Sequence, residues 1–293
     1  MGAQLAISTT PLSAIPYCGP PPVPDAIWSR WNLDPILIAA LCAAAALYAA
    51  GAVREARAGH RLSRSSIALF YGGWLTAAAA LVSPLCPLSV SLFAARVSQH
   101  AILGLVAAPL IVLGSAGSAC RALVPGIRTA APGGSAIPSA PLCASGAFAA
   151  MLWLWHAPGP YAATFASSGV YWLMHLSLFA AALWLWQGLL DRSPRKTMHR
   201  VAAGLISSTQ MGFLGALITL APRPLYEPHA LTTAAWGLTP LQDQQLGGGI
   251  MWVPGCLVFL AASVLAFWPL SRGDARRTAT PSRTAIGMEV RGA

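Results

Sequence analysis

Charged residues are scarce in this sequence, and acidic residues are the scarcest of them. Only 9% of the 293 residues are charged, with 8 Asp and Glu against 18 Lys and Arg, whereas 56% are hydrophobic. A typical soluble domain carries about 25% charged residues. Together with a mean hydropathy of +0.61, this composition excludes an ordinary soluble domain and predicts a polytopic membrane protein.

Catalytic and disulfide motifs are missing as well. The sequence has no GxSxG, no HExxH, no P-loop and no dinucleotide-binding glycine turn, and its few acids cannot form a paired-carboxylate site. We therefore predict that the protein is not an enzyme. The six cysteines show no CxxC or CxxxC spacing. Cys18 and Cys86 could pair in an oxidising compartment, but unreacted cysteine is the commoner buried state, so we expect no disulfide.

Seven apolar runs are present, each near the ~20 residues that cross a bilayer. They cover residues 33–52, 66–83, 97–114, 141–157, 170–190, 201–221 and 248–270. We predict an all-α bundle of seven transmembrane helices over residues 33–270. An extracytoplasmic segment (1–32) precedes it, and a disordered cytoplasmic tail (271–293) follows it.

Lys and Arg lie almost entirely on alternate connections between these runs. Fifteen of the 18 cations fall on one side, and only Arg30, Arg96 and Arg223 fall on the other. The positive-inside rule then places the N-terminus outside and the C-terminus in the cytoplasm. We expect the basic loops to face anionic membrane lipid, and we expect no nucleic-acid partner.

Three histidines fall near the outer ends of three different runs: His100, His156 and His175. Polar groups are costly in lipid, so each ring is expected to face the bundle interior. Three neutral imidazoles at one depth can meet one metal ion. Each ring could equally bond a neighbouring carbonyl or hydroxyl, and that alternative stays open.

Methionines suggest which metal such a site would hold. Met251 enters the seventh run from the outer side, and Met211 lies near the middle of the sixth, whereas Met174 points about 100° away from His175 on a helix. Thioether and imidazole ligands together favour copper, especially Cu(I). We take Met251 as a candidate ligand and leave Met174 out. Two histidines on different helices could instead hold haem, which would make the protein a membrane electron carrier.

The connection from Ala221 to Trp252 is predicted to fold over the mouth of the bundle. It contains the densest polar cluster of the chain, QDQQ, followed by three glycines. Asp243 could orient a ligating histidine as an outer hydrogen-bond acceptor, or it could simply cap the seventh helix. His229 lies in the same connection and is expected to be a solvent-exposed group.

Several of these stretches resemble the multi-span CtaG family of cytochrome c oxidase assembly factors, over roughly residues 20–270. The resemblance is carried by SQHAILGLVAAPLIVLG, WLWHAPGPY, YWLMHLSLFAAALWLWQGLL, LAPRPLYEPHA and, most specifically, GLTPLQDQQLGGGIMWVPG. It implies a multi-pass protein of the bacterial inner membrane that works with cytochrome c oxidase subunits, with copper delivery or copper-centre maturation as its task. A metal-free scaffold for those subunits is the other function that the resemblance allows.

Residue by residue, the resemblance assigns the family's histidines and its DQQ and MW positions to this chain. They fall on His100, His156, His175, Asp243, Gln244, Gln245, Met251 and Trp252. One position departs from the pattern, because Arg96 stands where members often have a histidine one turn before His100. A cation cannot be a metal ligand, so we expect Arg96 to bind a carboxylate or a lipid headgroup at the interface.

Overall fold

The computed structural model describes residues 15–123 and 140–278, with the side chains described up to residue 267. Within these ranges every regular element is helical, so the all-α prediction is confirmed. The α-helices are α1 (Pro35–Arg57), α2 (Arg64–Val82), α3 (Leu85–Ser91), α4 (Phe93–Ala101), α5 (Ala108–Leu113), α6 (Ala116–Leu123), α7 (Pro141–His156), α8 (Pro158–Ala166), α9 (Ser168–Leu189), α10 (Thr197–Leu220) and α11 (Pro240–Thr278).

Six helical stretches of the described chain are long and apolar enough to cross a membrane. They are Pro35–Arg57, Arg64–Val82, Phe93–Leu113, Ser168–Leu189, Pro194–Leu220 and Pro240–Phe267. The fourth predicted run corresponds to α7, whose 16 residues make it about 24 Å long at 1.5 Å per residue. It packs inside the bundle, against α9 and α10.

The third membrane stretch is not a uniform α-helix. A π-helical turn, Ile102–Ala107, separates α4 from α5. Pro109 lies at the start of α5 and has no N–H with which to bond the Leu105 carbonyl, which weakens the α-helical register just before it. A neighbouring helix stabilises the turn, because the indole Nε1 of Trp186 in α9 donates to the Gly104 carbonyl at 2.7 Å. Such turns widen a helix locally and are frequent near functional sites.

The last helix begins earlier than the sequence indicates. The polar QDQQ cluster was expected in an outer connection, but α11 begins at Pro240 and includes it. Close packing explains why a glycine-rich segment stays helical here. A Cβ at Gly215 of α10 would lie only 2.9 Å from the Gly248 carbonyl oxygen of α11, so only glycine lets the two backbones approach. The helix continues to Thr278, and residues 279–293 of the predicted tail lie outside the described residues.

The expectation of no disulfide is wrong, because Cys18 is bonded to Cys86. The bridge is buried at the start of α3, where the Tyr171 hydroxyl lies 3.3 Å from Cys18 Sγ. Sequence spacing could not reveal it, because the two cysteines are 68 residues apart and only the fold brings them together. The bridge ties the N-terminal segment to the helices of the bundle.

Removing this bridge should destabilise the protein. Its closed loop of 68 residues restricts the unfolded chain, and loops of this size stabilise by about 2–4 kcal/mol. We expect a C18S/C86S double variant to unfold several degrees lower than wild type in detergent. A C42S variant is the control, since Cys42 is free and exposed. Equal unfolding temperatures for the double variant and wild type would contradict the prediction.

Candidate functional site

Three histidine rings from three helices converge on one small cavity. His100 lies in α4, His156 ends α7 and His175 lies in the first half of α9. The His100 ring centre lies 5.0 Å from that of His175 and 6.3 Å from that of His156. Two imidazoles that share one ion have ring centres on the order of 5–6.5 Å apart, because a metal–nitrogen bond is ~2 Å long.

Proline sets the position of His156. Ala157 has an extended backbone, as residues before proline prefer, and Pro158 begins α8. This break ends α7 at His156, whose carbonyl accepts a hydrogen bond of 2.9 Å from the Tyr226 hydroxyl. The ring is therefore fixed at the end of a helix and at the level of the other two histidines.

Backbone carbonyls lie beside the Nδ1 atoms of two of the rings. His156 Nδ1 lies 2.8 Å from the Leu152 carbonyl, and His175 Nδ1 lies 3.1 Å from the Tyr171 carbonyl. A carbonyl can only accept, so Nδ1 of His156 carries the proton. His175 has an acceptor at each nitrogen, because its Nε2 also lies 3.4 Å from Gln99 Oε1, and the shorter contact to Tyr171 favours Nδ1 as the donor. In the neutral ring Nε2 then keeps its lone pair, which is the state needed to bind a metal.

His100 differs from both, because neither of its buried ring nitrogens has a hydrogen-bond partner. Leaving such a polar group unpaired costs about 1–3 kcal/mol. A sequence that keeps imidazole here, at a position lined by apolar side chains, is consistent with a ligand-binding role for this ring. This unpaired histidine is the observation that best fits an ion at the site.

The cavity itself has a volume of about 40 Å³. Its lining is apolar apart from the three histidines and includes two of the three methionines noted in the sequence, Met211 and Met251. The lining residues are Val97, His100, Ala101, Leu103, Gly104, Leu105, Phe148, Leu152, His156, His175, Leu178, Phe179, Met211 and Met251. Met174 packs instead in a separate apolar cluster with Cys86 and Tyr171. The described residues contain no group of three or more His, Cys, Asp or Glu already arranged to hold a metal ion.

Gln99 extends the polar side of the site. Its Nε2 donates to the Ala80 carbonyl at 2.8 Å, which orients its Oε1 towards His175 Nε2 at 3.4 Å. Gln99 is completely buried. It was not among the residues singled out from the sequence, although it directly precedes His100.

Arg96 was expected to lie at the membrane interface, but the structure buries it. Its side chain is 1% exposed, and its Nη1 donates to the Thr164 hydroxyl at 3.1 Å. The guanidinium carbon lies 4.3 Å from the ring centre of Phe165. Arg96 shares the buried face of α4 with Gln99, so its side chain is directed into the protein and away from lipid.

Asp243 has a different partner from the one proposed. Its carboxylate accepts hydrogen bonds from the backbone N–H groups of Phe93 at 2.7 Å and of Ala94 at 3.0 Å. It therefore caps the N-terminus of α4 and does not orient a histidine. Unpaired N–H groups and the helix dipole make this end of a helix favourable for an anion.

The other residues of the polar motif also lie away from the cavity. Gln244 is buried, accepts from the Leu225 N–H at 2.6 Å and donates to the Ile218 carbonyl at 3.1 Å. Gln245 is exposed. Trp252 is 38% exposed and packs on the glycines of α10. The motif therefore organises the helices and the 221–239 loop, and only Met251 from this stretch lines the cavity.

His229 was expected to be exposed but is 2% exposed. Its Nε2 lies 2.7 Å from the Tyr161 hydroxyl. The pKa of His229 falls to about 3, first because burial disfavours the charged ring and second because Arg96 repels it. No spacing rule flags a lone histidine in a loop, so only the folded position of the loop reveals this group.

Most of the chain matches a known protein family. The family described as cytochrome c oxidase caa3 assembly factor (Caa3_CtaG) matches residues 46–273. The chain belongs to this family. The match covers about half of α1, all of α2 to α10 and most of α11, and with them all three histidines and both cavity methionines. No curated protein and no solved structure matches the chain.

Replacing the Asp243 carboxylate should destabilise the protein. In an Asp243→Asn variant, one carboxylate oxygen becomes an NH₂ group that faces a backbone N–H donor. We expect a loss of about 1–3 kcal/mol in the free energy of unfolding, because a buried donor loses its partner. Thermal unfolding in detergent measures the loss. A Gln245→Ala variant, altered at an exposed neighbour, should unfold as wild type does, and equal effects of the two substitutions would refute the cap.

Burial of His229 should make the stability of the protein depend on pH. The folded pKa of about 3 lies below the unfolded value of about 6.5. Between these values the unfolded chain binds more protons, so His229 makes the protein lose stability as pH falls below about 6.5, by up to about 1.4 kcal/mol per pH unit. A His229→Gln variant should lose less over this range.

Unfolding temperatures from about pH 7.5 to about pH 4.5 give the comparison. The matched control is His199→Gln, which removes an exposed histidine instead of a buried one. If the His229 variant and wild type lose stability in parallel, the buried neutral state of His229 is wrong.

Proposed function

We propose that this oxidase assembly factor binds a copper ion transiently at His100, His156 and His175, with Met251 as an additional ligand, and passes it to a cytochrome c oxidase subunit. The observation that carries the proposal is His100, whose two buried ring nitrogens lack a partner in a cavity shared with His156 and His175. Copper is the cargo here, and the protein is a chaperone and not an enzyme.

The lining chemistry supports copper over hard cations. Imidazole nitrogen and thioether sulfur are the ligands that Cu(I) prefers, and the cavity offers no carboxylate. Met211 lines the cavity beside Met251, which adds a second thioether to the set that the sequence suggested. A volume of about 40 Å³ accommodates a single ion or a water or two, and this favours an ion over the haem alternative.

We infer that the chain crosses the bacterial inner membrane seven times, with its N-terminus outside. Six of these spans are the long apolar helical stretches, and the additional one is α7, the fourth in chain order, which packs against α9 and α10. The disulfide between Cys18 and Cys86 supports the orientation, because disulfides form on the oxidising side of a bacterial membrane. The clustering of cations in the opposite connections supports it independently.

Copper binding provides the direct test. Purified wild-type protein should bind about one Cu(I) ion per chain in competition with a chromogenic chelator, and an H100A/H156A/H175A variant should lose that binding. The control is an H60A/H199A variant, which removes the two exposed histidines and should bind as wild type does. Equal copper content in all three proteins would refute the site and leave the metal-free scaffold as the function.

Cytochrome c oxidase activity in cells tests copper delivery. In a strain that lacks its own copy of the gene, the triple variant should be present in the membrane but should yield little active cytochrome c oxidase. Added copper should not restore activity if transfer requires the site. Full oxidase activity with the triple variant would contradict copper delivery.

A further inference from the structure

Arg96 is a buried cation beside a site proposed to bind cations. Besides the bond to Thr164, its Nε donates to the Ser89 carbonyl at 3.2 Å. Its guanidinium also faces aromatic rings, with centre distances of 4.3 Å to Phe165 and 5.5 Å to Tyr171. Hydroxyl, carbonyl and ring faces solvate the charge but do not neutralise it.

No carboxylate balances this charge directly. In the described ranges, 15–123 and 140–278, Arg96 forms no ion pair with an acidic side chain. The buried acid on the same side of the protein is Asp243, and both of its oxygens accept from backbone N–H groups of α4. Keeping an unpaired charge inside a protein is expensive, so its retention requires a physical reason.

The guanidinium is close to the histidine cavity. Arg96 precedes His100 by four residues on α4, and side chains with this spacing are neighbours on one helix face. On the other side, the Tyr171 ring that faces Arg96 lies 4.2 Å from the His175 ring. An ion between the histidines would therefore lie on the order of 8 Å from the positive charge.

We propose that Arg96 sets the charge specificity of the site, so that it admits monovalent soft ions and rejects divalent ones. This inference rests on the proposed function. Repulsion grows in proportion to the charge of the bound ion, whereas the neutral imidazole and thioether ligands offer no negative charge to offset it. With an effective dielectric constant of about 20 at ~8 Å, each unit of charge weakens binding roughly 10- to 50-fold. The repulsion energy from Arg96 is therefore twice as large for a divalent ion as for a monovalent ion.

The test measures a ratio of affinities. Silver(I) serves as a redox-stable probe for Cu(I), and zinc(II) serves as the divalent probe. The ratio of Ag(I) to Zn(II) affinity is determined by competition with chelators for wild type and for Arg96→Met, Arg96→Lys and Arg223→Met variants. Arg223 is an exposed cation of the 221–239 loop and is the matched control.

We expect Arg96→Met to lower the ratio at least about 10-fold by strengthening zinc binding more than silver binding. Arg96→Lys keeps the charge and should keep the ratio within about 3-fold, and Arg223→Met should leave it unchanged. If Arg96→Met does not fold, Arg96→Gln removes the charge while its amide can still donate to Ser89 or Thr164. A purely structural Arg96 would alter both affinities equally, and that result would overturn the inference.

The outcomes also separate this inference from the function on which it rests. Silver binding that depends on the three histidines, with a ratio that Arg96→Met or Arg96→Gln leaves unchanged, overturns only the role of Arg96. Absence of histidine-dependent binding of either ion in wild type overturns the proposed site, and the charge specificity with it.

Discussion

The arrangement of the site depends on one buried carboxylate that joins two distant helices. Asp243, in the first turn of α11, bonds the backbone N–H groups of Phe93 and Ala94 at the beginning of α4. Because α4 carries Arg96, Gln99 and His100, this contact fixes the start of the helix that contributes most to the site. A charged acceptor suits the position, since the N–H groups at the positive end of the α4 dipole are buried here.

The 221–239 loop is held above the site by three further contacts. Gln244 bonds the Leu225 N–H at 2.6 Å, the Tyr226 hydroxyl bonds the His156 carbonyl at 2.9 Å, and the Thr232 hydroxyl bonds the Ser91 carbonyl at 2.6 Å. Polar groups of the loop thus satisfy the carbonyls at the ends of α7 and α3. The loop is ordered because it completes the hydrogen bonding of helices that end inside the protein.

The apolar runs could be predicted from sequence because a bilayer imposes a minimum length and excludes charge. The three histidines could also be singled out, since imidazole is costly in an apolar helix. The partners of Asp243 and the burial of Arg96 and His229 could not be predicted, because each depends on residues far away in the chain. The Cys18–Cys86 bridge was missed for the same reason. Sequence periodicity indicates which face of a helix is buried, but it does not indicate which other element packs against that face.

The π-helical turn has a consequence for helix phase. It accommodates one more residue than an α-helical turn, so residues after Ala107 are rotated by about 100° relative to a continuous helix. His100 can therefore face the histidines of α7 and α9 while α5 presents a different face to α2, against which it packs. The deletion of a single residue between Ile102 and Ala107 would bring the two halves into one phase and force one of the contacts to break.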